Sequence, residues 1–372
     1  MKIAIVHDWL ANMGGSEKVV LAFKEIFPDA PIYTTVYNPD RVDSAFHNMD
    51  IRTSFIQKLP RGRTAYQSYL PLMPTAVEQF DFSGFDVVLS SSHAVAKGVL
   101  TGANTLNISY CHTPMRYAWD FYHEYLNGPG AGRVKRKLIP WLMNYIRMWD
   151  RISADRVDYF IANSGYVARR IKKHYRRESE VIYPPVDTSF YSPSDLTVAA
   201  KIGDYYFTVS RLIPYKRIDL AVEAFTRLGV PLRIAGDGPE RKRLEKMAGP
   251  NVEFLGRVSD AEMKKLYASC KAFIFPGEED FGITPVEAQA AGRPVIAFGA
   301  GGALETVLPG VTGEFFQPQT AEALAGVINK FDSGKYITEI ICDHAAGFDR
   351  ELFKKHILTF IEDKYREFKE NA

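Results

Sequence analysis

Short apolar runs alternate with helical segments along the whole chain, and this alternation constrains the fold more than any other feature. In the first half, the runs with the length and composition of buried parallel strands are KIAIVH (2–7), DVVLS (86–90), TLNISYC (105–111), DYFIANS (158–164) and EVIYPP (180–185). Helices are predicted from Ser16 to Phe27 and from Val134 to Trp149. Strands that alternate with helices predict an open parallel sheet with helices on both faces.

The second half repeats the pattern. Its predicted strands are YYFTVS (205–210), PLRIAGDG (231–238), VEFLG (252–256), AFIFP (272–276), PVIAF (294–298) and GEFF (313–316). Between two of them, Ser259 and Glu262 predict a capping box at the start of a helix. Because 372 residues also exceed one ordinary core, the sequence predicts two doubly wound α/β domains.

A turn-rich segment, YPPVDTSFYSP (183–193), separates the two halves and is the best linker candidate. It divides the chain into a first domain, residues 1–187, and a second domain, residues 188–347. The tail 348–372 contains an amphipathic helix without a following strand. Its apolar face carries Phe353, Ile357, Phe360 and Ile361. This helix must bury that face on a domain already built.

Composition limits the class of protein. The chain is 46% hydrophobic and 24% charged, which is typical of globular proteins and excludes extensive disorder. Its formal net charge of +2 creates no overall field that would attract nucleic acid. We therefore expect no nucleic-acid partner, and any basic binding surface must be local.

The cysteines and the N-terminus predict a cytoplasmic protein. Cys111, Cys270 and Cys342 lie far apart and form no C-x-x-C motif, which argues against a disulfide framework or a zinc knuckle. The N-terminal apolar run has only four residues before His7 and reads as a strand rather than a signal peptide. No stretch of about 18 uncharged apolar residues predicts a transmembrane helix.

Two α/β domains of this kind face each other across a cleft at the carboxyl ends of their strands, where ligands usually bind. The loop SRLIPYKRID (210–219) follows a predicted strand. Pro214 bends it, so that Arg211 and Lys216 can meet at one point and bind a diphosphate. The alternative is a solvated basic loop with Asp219 as a helix cap.

Glycine-rich loops are found in both halves. In NMGGSEKVV (12–20), Gly14 and Gly15 permit close backbone approach, and the following helix start favours anions. The motif is not G-x-G-x-x-G, so no NAD fingerprint is present. AGDGPE (235–240) also lacks the third glycine and is interpreted as a turn.

The stretch GEEDFGITPVEAQAAG (277–292) admits two compatible interpretations. Thr284 as N-cap, Pro285 as first helical residue and Glu287 as N3 would form a capping box, with Gly292 as a left-handed terminator. Glu287 can also accept hydrogen bonds from a ribose diol, because a carboxylate has several lone pairs. The spacing does not imply a glycosidase pair of carboxylates. Glu278 and Asp280 are expected to be solvated.

SYCHTPMRYAWD (109–120) ends a strand and places His112 in a loop over the cleft. A single histidine is more often structural, but its neighbours Arg116 and Tyr117 favour contact with a sugar or an acceptor. The chain contains no Asp-x-Asp, the usual short acidic motif for a metal–diphosphate complex, so no metal is expected.

The helix RVKRKLIPWLMNYIRMWDR (133–151) combines cations with interleaved aromatic and aliphatic residues. It is either a core-facing helix with a solvated basic side or a helix that lies on an anionic membrane surface. The basic, aromatic segment 59–74 could belong to the same surface.

Together these motifs resemble the retaining glycosyltransferases of family 4, which have the two-domain GT-B fold. The resemblance rests on GG (14–15), SRLIPYK (210–216), GRVSDAEMKKLYASC (256–270) and the Glu-x7-Glu formed by Glu279 and Glu287. The stretches HDWLANMGGSEKVV and YCHTPMRYAWD more narrowly resemble bacterial mannosyltransferases of O-antigen and exopolysaccharide synthesis. Thr284 departs from the bulkier apolar residue of many members.

The resemblance implies the role of each site residue. Arg211 and Lys216 would bind the donor diphosphate, Glu279 the donor sugar, and Glu287 the ribose. The remaining donor contacts would come from Gly14, Gly15, the backbone around Val258, and Phe281, Gly282, Ile283 and Thr284. His112 would contact sugar hydroxyls, with Arg116 and Tyr117 towards the acceptor. The family's last helix crosses back to the first domain, so we expect residues 348–372 to pack there.

The implied reaction is metal-independent transfer with retention of configuration and without a cofactor. We expect GDP-mannose as donor and a lipid-linked or oligosaccharide acceptor at the inner face of the cytoplasmic membrane, with UDP- or dTDP-sugars such as UDP-glucose as alternatives. A nucleotide-sugar epimerase, a phosphorylase of the same fold, and a non-catalytic nucleotide-sugar-binding scaffold remain as other functions that the fold permits.

Overall fold

A computed structural model describes residues 1–123, 133–193 and 202–371, with the backbone alone for residues 133–136. The chain divides into two compact units. The first comprises Met1–Tyr183 together with Phe353–Ala372, and the second comprises Pro184–Leu352. Each unit contains one parallel sheet with helices. Both halves therefore have the doubly wound α/β architecture that the alternating pattern predicted.

The sheet of the first unit has the strand order β3-β2-β1-β4-β5-β6-β7, and all neighbouring pairs are parallel. The strands are β1 (Ile3–His7), β2 (Ile32–Thr34), β3 (Ile51–Thr53), β4 (Val87–Ser92), β5 (Leu106–Cys111), β6 (Tyr159–Ala162) and β7 (Ser179–Val181). Its helices are α1 (Gly15–Ile26), α2 (Met73–Glu78), α3 (Arg133–Ser153) and α4 (Gly165–Tyr175). The sequence did not predict β2 and β3, because three residues are too few to establish a periodic pattern.

The sheet of the second unit has the order β10-β9-β8-β11-β12-β13, again with parallel neighbours. The strands are β8 (Tyr206–Val209), β9 (Leu232–Ala235), β10 (Val252–Gly256), β11 (Phe273–Phe275), β12 (Val295–Phe298) and β13 (Gly313–Phe316). The helices are α5 (Thr188–Tyr191), α6 (Ile218–Leu228), α7 (Arg241–Met247), α8 (Asp260–Ser269), α9 (Ile283–Ala290), α10 (Ala303–Thr306), α11 (Ala321–Lys330) and α12 (Thr338–Ala346). All six predicted strands are present.

The last helix, α13 (Arg350–Glu370), packs on the first unit. Phe353, Ile357, Phe360 and Ile361 join the core formed by β1, β4, β5 and α1. The ring of Phe353 stacks on that of Phe23 with centroids 5.9 Å apart. The apolar face that the sequence left without a partner is therefore buried on the first sheet, as the resemblance implied.

The boundary between the units lies slightly earlier than predicted, after Tyr183 rather than after residue 187. Backbone pairing explains the difference. The Val186 N–H donates to the Phe348 carbonyl at 3.1 Å, and the Arg350 N–H donates to the Val186 carbonyl at 2.9 Å. These bonds attach Val186, in the first part of the predicted linker, to the chain at the start of α13, and these residues all belong to the second unit. Over the described residues, no helix combines the length and the apolar composition needed to cross a membrane.

Candidate active site

Both sheets reverse their strand order at one point, and ligands of open parallel sheets bind at the carboxyl ends of the strands beside such a reversal. In the first unit the reversal lies between β1 and β4, and in the second between β8 and β11. The loop with Arg211 and Lys216 follows β8, and the loop with Glu279 follows β11. The fold thus brings together the basic loop with Arg211 and Lys216 and the acidic loop with Glu279, both of which the sequence selected.

Lys216 and Glu279 form an ion pair in the second unit, and each side chain is roughly four-fifths buried. Lys216 ends a 3-10 turn that begins at Pro214, which is the bend predicted for this loop. Arg211 is exposed, and its side chain makes no hydrogen bond or ion pair with any residue of the described ranges. The site therefore offers one cation held by a carboxylate and a second cation open to a ligand.

Glycines allow the loops around this ion pair to approach each other closely. A Cβ on Gly277 would lie 2.9 Å from the Lys216 carbonyl oxygen, and one on Gly236 would lie 2.0 Å from the Ser210 carbonyl oxygen. Gly302 packs on Phe281 in the same way, and its N–H donates to the Glu279 carbonyl at 2.8 Å. The AGDG segment, interpreted as a turn, thus also supports the loop that carries Arg211.

Helix α9 begins earlier than the sequence predicted. Its N-cap is Gly282, with φ of 89°, and no side chain caps the helix. The predicted capping box of Thr284 and Glu287 is therefore wrong, because Thr284 already lies inside the first turn. Because no side chain caps the helix, the first-turn amides of Ile283 and Thr284 lack a capping acceptor, and amides at a helix start suit an anionic ligand. The predicted terminator is confirmed, since Gly292 has φ of 73°.

Glu287 is almost fully buried, one turn into α9. Its Oε2 accepts a hydrogen bond from the Tyr267 hydroxyl at 3.0 Å. Burial first, and then the charge of Glu287, raise the pKa of both Tyr267 and Tyr191 well above the ordinary value. The carboxylate thus ties α9 to α8 and α5, and its contact with a ribose stays a prediction.

The other predicted donor residues have different surroundings. Phe281 is buried and packs its ring on Phe348, with centroids 5.6 Å apart. Val258 is half-buried directly after β10, before the capping box of Ser259 and Glu262, which is confirmed. Asp280 is only 8% exposed, so the expectation that it is solvated is wrong.

In the first unit, the glycine loop leads into α1 as predicted. Gly14 is the N-cap and Gly15 the first helical residue, which places Glu17 in the first turn. A Cβ on Gly14 would lie 3.2 Å from Glu17 Oε2. Glu17 is buried and receives a hydrogen bond from the Ser16 hydroxyl at 2.9 Å. The helix start therefore already holds one carboxylate in its positive end.

His7 ends β1 and is fully buried beside Glu17. Its Nε2 lies 3.4 Å from Glu17 Oε1. Burial opposes the charge on His7, but the hydrogen bond and charge of Glu17 and the charge of Asp8 outweigh it and raise the pKa of His7 above its ordinary value. The same contact lowers the pKa of Glu17 despite its burial. Both groups are thus held as an ion pair.

His112 follows β5 and faces the same edge of the sheet. Its Nε2 lies 2.8 Å from Ser91 Oγ, and Ser91 Oγ lies 3.1 Å from His7 Nδ1. Burial first, and then the charges of His93 and His7, hold the pKa of His112 well below its ordinary value. His112 is therefore a neutral imidazole joined through Ser91 to the His7–Glu17 pair.

Asp8 supports the turn that follows β4. Its carboxylate accepts the backbone N–H groups of four successive residues, His93, Ala94, Val95 and Ala96, at 2.6 to 3.0 Å. His93 Nδ1 also lies 3.0 Å from Asp8 Oδ2. Burial lowers the pKa of His93 below its ordinary value, although Asp8 opposes the shift.

The sequence analysis missed His7, Asp8, Glu17, Ser91 and His93 as members of one cluster. A sequence pattern that could have found them is the change from apolar to polar residues at the end of a buried strand, in IAIVHD and in VVLSSSH.

Of the predicted acceptor residues, Arg116 is half-buried with its guanidinium 5.6 Å from the centre of the Phe121 ring. Tyr117 is half-buried against the core under α3. No three His, Cys, Asp or Glu side chains in the described ranges form a metal-ligating set.

Helix α3 exposes an apolar stripe. Its inner face packs Met143 and Ile146 into the first unit, as a core-facing helix would. Its outer face carries Leu138, Trp141, Tyr145, Met148 and Ile152, all exposed, at intervals of three and four residues. Trp141 is 78% exposed. The solvated side of this helix is therefore apolar along its centre rather than basic throughout.

Comparison with known proteins agrees with this architecture. Residues 13–190 match the family model described as Glycosyltransferase Family 4, and residues 199–343 match that of Glycosyl transferases group 1. Alpha-1,3/1,6-mannosyltransferase ALG2 of Mus musculus is 27% identical over 86% of each chain. The ALG2 of Homo sapiens is also 27% identical, over 86% of this chain and 85% of that protein.

Solved structures show the same fold. Anabaena HepE in complex with UDP superposes with a TM-score of 0.70 at 21% identity, over 98% of this chain and 100% of HepE. Sucrose-phosphate synthase of Thermosynechococcus elongatus gives 0.75 at 17% identity, over 99% and 100%. The protein is therefore a glycosyltransferase with the GT-B fold. The chain belongs to glycosyltransferase family 4, since the two family models follow one another over most of its length.

Proposed function

We propose that this glycosyltransferase transfers mannose from GDP-mannose, with retention of configuration and without a metal ion, to a lipid-linked glycan. The observation that carries the proposal is the ion pair of Lys216 and Glu279 at the strand reversal of the second sheet, with the exposed Arg211 on the same loop as Lys216. Two cations of one loop and a carboxylate suit a diphosphate joined to a hydroxyl-rich sugar. Mannose is preferred because the relatives at 27% identity bear the name mannosyltransferase.

The chemistry we propose is electrostatic. The bond between the sugar's anomeric carbon and the diphosphate oxygen breaks, and Arg211 and Lys216 stabilise the negative charge that develops on the leaving phosphate. The acceptor oxygen forms its bond on the same face of the sugar, and its proton passes to the departing phosphate oxygen. Glu279 holds the sugar hydroxyls so that the anomeric carbon stays beside the cations. No side-chain nucleophile is required.

The remaining residues would position the donor and the acceptor. The α9 amides at Gly282, Ile283 and Thr284 would meet the diphosphate, the backbone near Val258 the base, and Glu287 the ribose, with Phe281 fixing the loop. Gly14 and Gly15 would approach the diphosphate or the sugar. His112 would hydrogen-bond a sugar hydroxyl, with Arg116 and Tyr117 closer to the acceptor.

Glu279→Gln tests the proposal. We expect turnover of GDP-mannose to fall about 100-fold or more, because one preorganised charged group is removed, while the affinity for GDP changes little. Calorimetric binding of GDP and radiolabelled sugar transfer measure the two effects. An active Glu279→Gln enzyme would refute the role of Glu279, and transfer from UDP-glucose but not from GDP-mannose would refute the donor.

We further propose that α3 places the enzyme on an anionic lipid surface such as the inner face of the cytoplasmic membrane, where a lipid-linked acceptor would lie. The exposed stripe of Leu138, Trp141 and Ile152 lies on a helix whose sequence is rich in cations. The helix sequence begins with Arg133, Lys135, Arg136 and Lys137, and its only carboxylate, Asp150, is buried. Exposed apolar residues on a cation-rich helix whose one acid is buried match an interfacial helix.

Co-sedimentation with vesicles tests this part. We expect binding to phosphatidylglycerol vesicles that weakens with salt and is lost in Leu138→Ser/Trp141→Ser, because both insertion and charge attraction contribute. Leu304→Ser, which removes another exposed leucine, in the second unit, is the matched control and should bind like the wild type. Unchanged binding of the double variant, or a dimer formed through the stripe in sedimentation, would refute the lipid surface.

A further inference from the structure

We infer that Glu17, His7 and Ser91 form an ordered hydrogen-bond relay that fixes the proton of His112 on Nδ1, so that His112 offers a ligand a hydrogen-bond donor and not a base. Glu17, His7 and Ser91 are positioning residues in this scheme. Only the last step, that the Nδ1–H meets a sugar hydroxyl, rests on the proposed function.

The first step assigns both protons of His7. Its Nε2 faces Glu17 Oε1 at 3.4 Å, and its Nδ1 faces the Ser91 carbonyl oxygen at 3.2 Å. A carboxylate and a carbonyl can only accept, so each nitrogen carries a hydrogen and donates it. His7 is therefore an imidazolium, in agreement with the raised pKa of its ring and the lowered pKa of the Glu17 carboxyl.

The second step orients the Ser91 hydroxyl. Ser91 Oγ lies 3.1 Å from His7 Nδ1 and 2.8 Å from His112 Nε2. Because His7 Nδ1 donates, Ser91 Oγ accepts on that side and has one hydrogen left to give. It donates this hydrogen to His112 Nε2, the shorter of the two contacts.

The third step fixes the tautomer of His112. A ring nitrogen that accepts from Ser91 carries no hydrogen, so a neutral His112 has its hydrogen on Nδ1. In the described residues, Nδ1 has no hydrogen-bond partner. Its N–H is thus free for a ligand oxygen, and neither nitrogen of His112 can accept an acceptor hydroxyl's proton while the relay holds.

The strands explain why this order is possible. His7 and Ser91 are directly paired in the parallel ladder of β1 and β4, and the His112 N–H donates to the Ser92 carbonyl at 2.8 Å. Three adjacent strand ends therefore hold the three side chains in register. The other ionisable groups that face them are Asp8 and His93 beside His7, and Tyr110, whose ring centre lies 5.2 Å from that of His112. Arg116 also acts on His93.

The direction of the relay depends on the charge of His7. A neutral His7 keeps the hydrogen that faces Glu17, so its Nδ1 becomes an acceptor. Ser91 then turns its hydrogen towards His7 and accepts from His112, which must carry its proton on Nε2. Deprotonation of His7 beside a charged Glu17, at a pH above the pKa of His7, should therefore move the proton of His112 from Nδ1 to Nε2.

Nitrogen-15 NMR of the full chain labelled at its eight histidines tests this inference, since long-range nitrogen–proton correlations distinguish the two tautomers. His112 is assigned by the signals that disappear in His112→Gln. At pH 6 we expect the Nδ1–H tautomer in the wild type and a loss of its predominance in Ser91→Ala, which removes the hydrogen donated to Nε2. Ser90→Ala, which removes the neighbouring hydroxyl of β4 that donates to the Ile108 carbonyl, is the matched control and should keep the wild-type tautomer.

Titration of the wild type gives a second measurement that needs no substitution. We expect one change of the His112 tautomer in step with the deprotonation of His7. A wild-type His112 that is cationic or carries its proton on Nε2 at pH 6 would overturn the relay, as would a Ser91→Ala chain that folds and keeps the Nδ1–H tautomer in full. The readout is independent of substrate, so a failure of the proposed transfer reaction would be recognised separately.

Discussion

The carboxyl edges of the two sheets differ in how they satisfy their polar groups. At the edge of the first sheet, buried side chains bond to one another, as in the Glu17–His7–Ser91–His112 series and in Asp8 with its four backbone amides. At the edge of the second sheet, glycines pack backbone on backbone, and the cations of Arg211 and Lys216 remain partly or fully accessible.

The two edges therefore position their functional groups in two different ways. A buried network fixes the positions of protons, because each donor must find an acceptor where water is excluded. A glycine-supported loop fixes the position of the backbone and leaves charged side chains for a ligand. We therefore expect substitutions of charged side chains at the second edge to lower activity with little change in stability. Substitutions at the first edge should lower activity and stability together.

The largest effect should come from Lys216→Ala. We expect the rate of sugar transfer to fall about 100- to 1000-fold, because a preorganised cation at the leaving phosphate is removed, with little change in the melting temperature. Steady-state kinetics with the nucleotide sugar and a thermal melt measure both. Lys242→Ala, an exposed lysine of α7, should behave as the wild type. A large loss of stability without loss of sugar transfer would contradict the expectation that charged residues of the second edge serve activity rather than stability.

Gly302→Ala should disturb the backbone of the second edge. The new Cβ would lie 2.3 Å from Phe281 Cα, so the loop that carries Glu279 must shift, and the free energy of unfolding should fall by about 1 to 3 kcal/mol. Transfer should fall as well.

Gly326→Ala is the control for that loss, since Gly326 lies inside α11 with open space around it. Alanine there should raise the free energy of unfolding by about 0.5 to 1 kcal/mol. Urea denaturation compares the two variants. Equal changes in the free energy of unfolding for the two variants would show that the close packing of Gly302 on Phe281 does not contribute to stability.

Glu17→Gln should remove the pH-dependent stability that the ion pair of Glu17 and His7 gives to the first edge. The lowered pKa of Glu17 adds stability above its ordinary value of 4.5, and the raised pKa of His7 adds stability that is complete below 6.5 and is lost as pH rises through the folded value. The difference in unfolding free energy between wild type and variant, about 1 to 3 kcal/mol, should therefore be largest between these two values.

Denaturation at a series of pH values from 4 to 9 measures that difference. Glu25→Gln, on the exposed side of α1, should shift stability by less than about 0.5 kcal/mol at every pH. A difference for Glu17→Gln that grows as pH rises above 6.5 would contradict the ion pair of His7 and Glu17.

Much of the fold could be predicted because its determinants are local. Each strand of the second sheet is an apolar run bounded by turn residues, and Ser259 with Glu262 caps α8 within four residues. The cap of α9 could not be predicted in the same way. Gly282 adopts φ of 89° because its loop packs under Phe275, and the alternative Thr284 cap was compatible with the sequence alone.

The sequence also selected Arg211, Lys216, Glu279 and His112 as candidate site residues, because each follows a strand in a motif of unusual composition. It could not show that Lys216 pairs with Glu279 or that His112 is joined to His7. These contacts join residues far apart in the chain, as His7 and Ser91 are 84 positions apart.

The sequence by itself determined the class of fold, because the periods of strands and helices and the residues that end them are encoded within a few positions. Only the tertiary structure decided which strand ends are neighbours. That adjacency sets which polar groups share a buried edge, and thereby which of them are charged and where their protons lie.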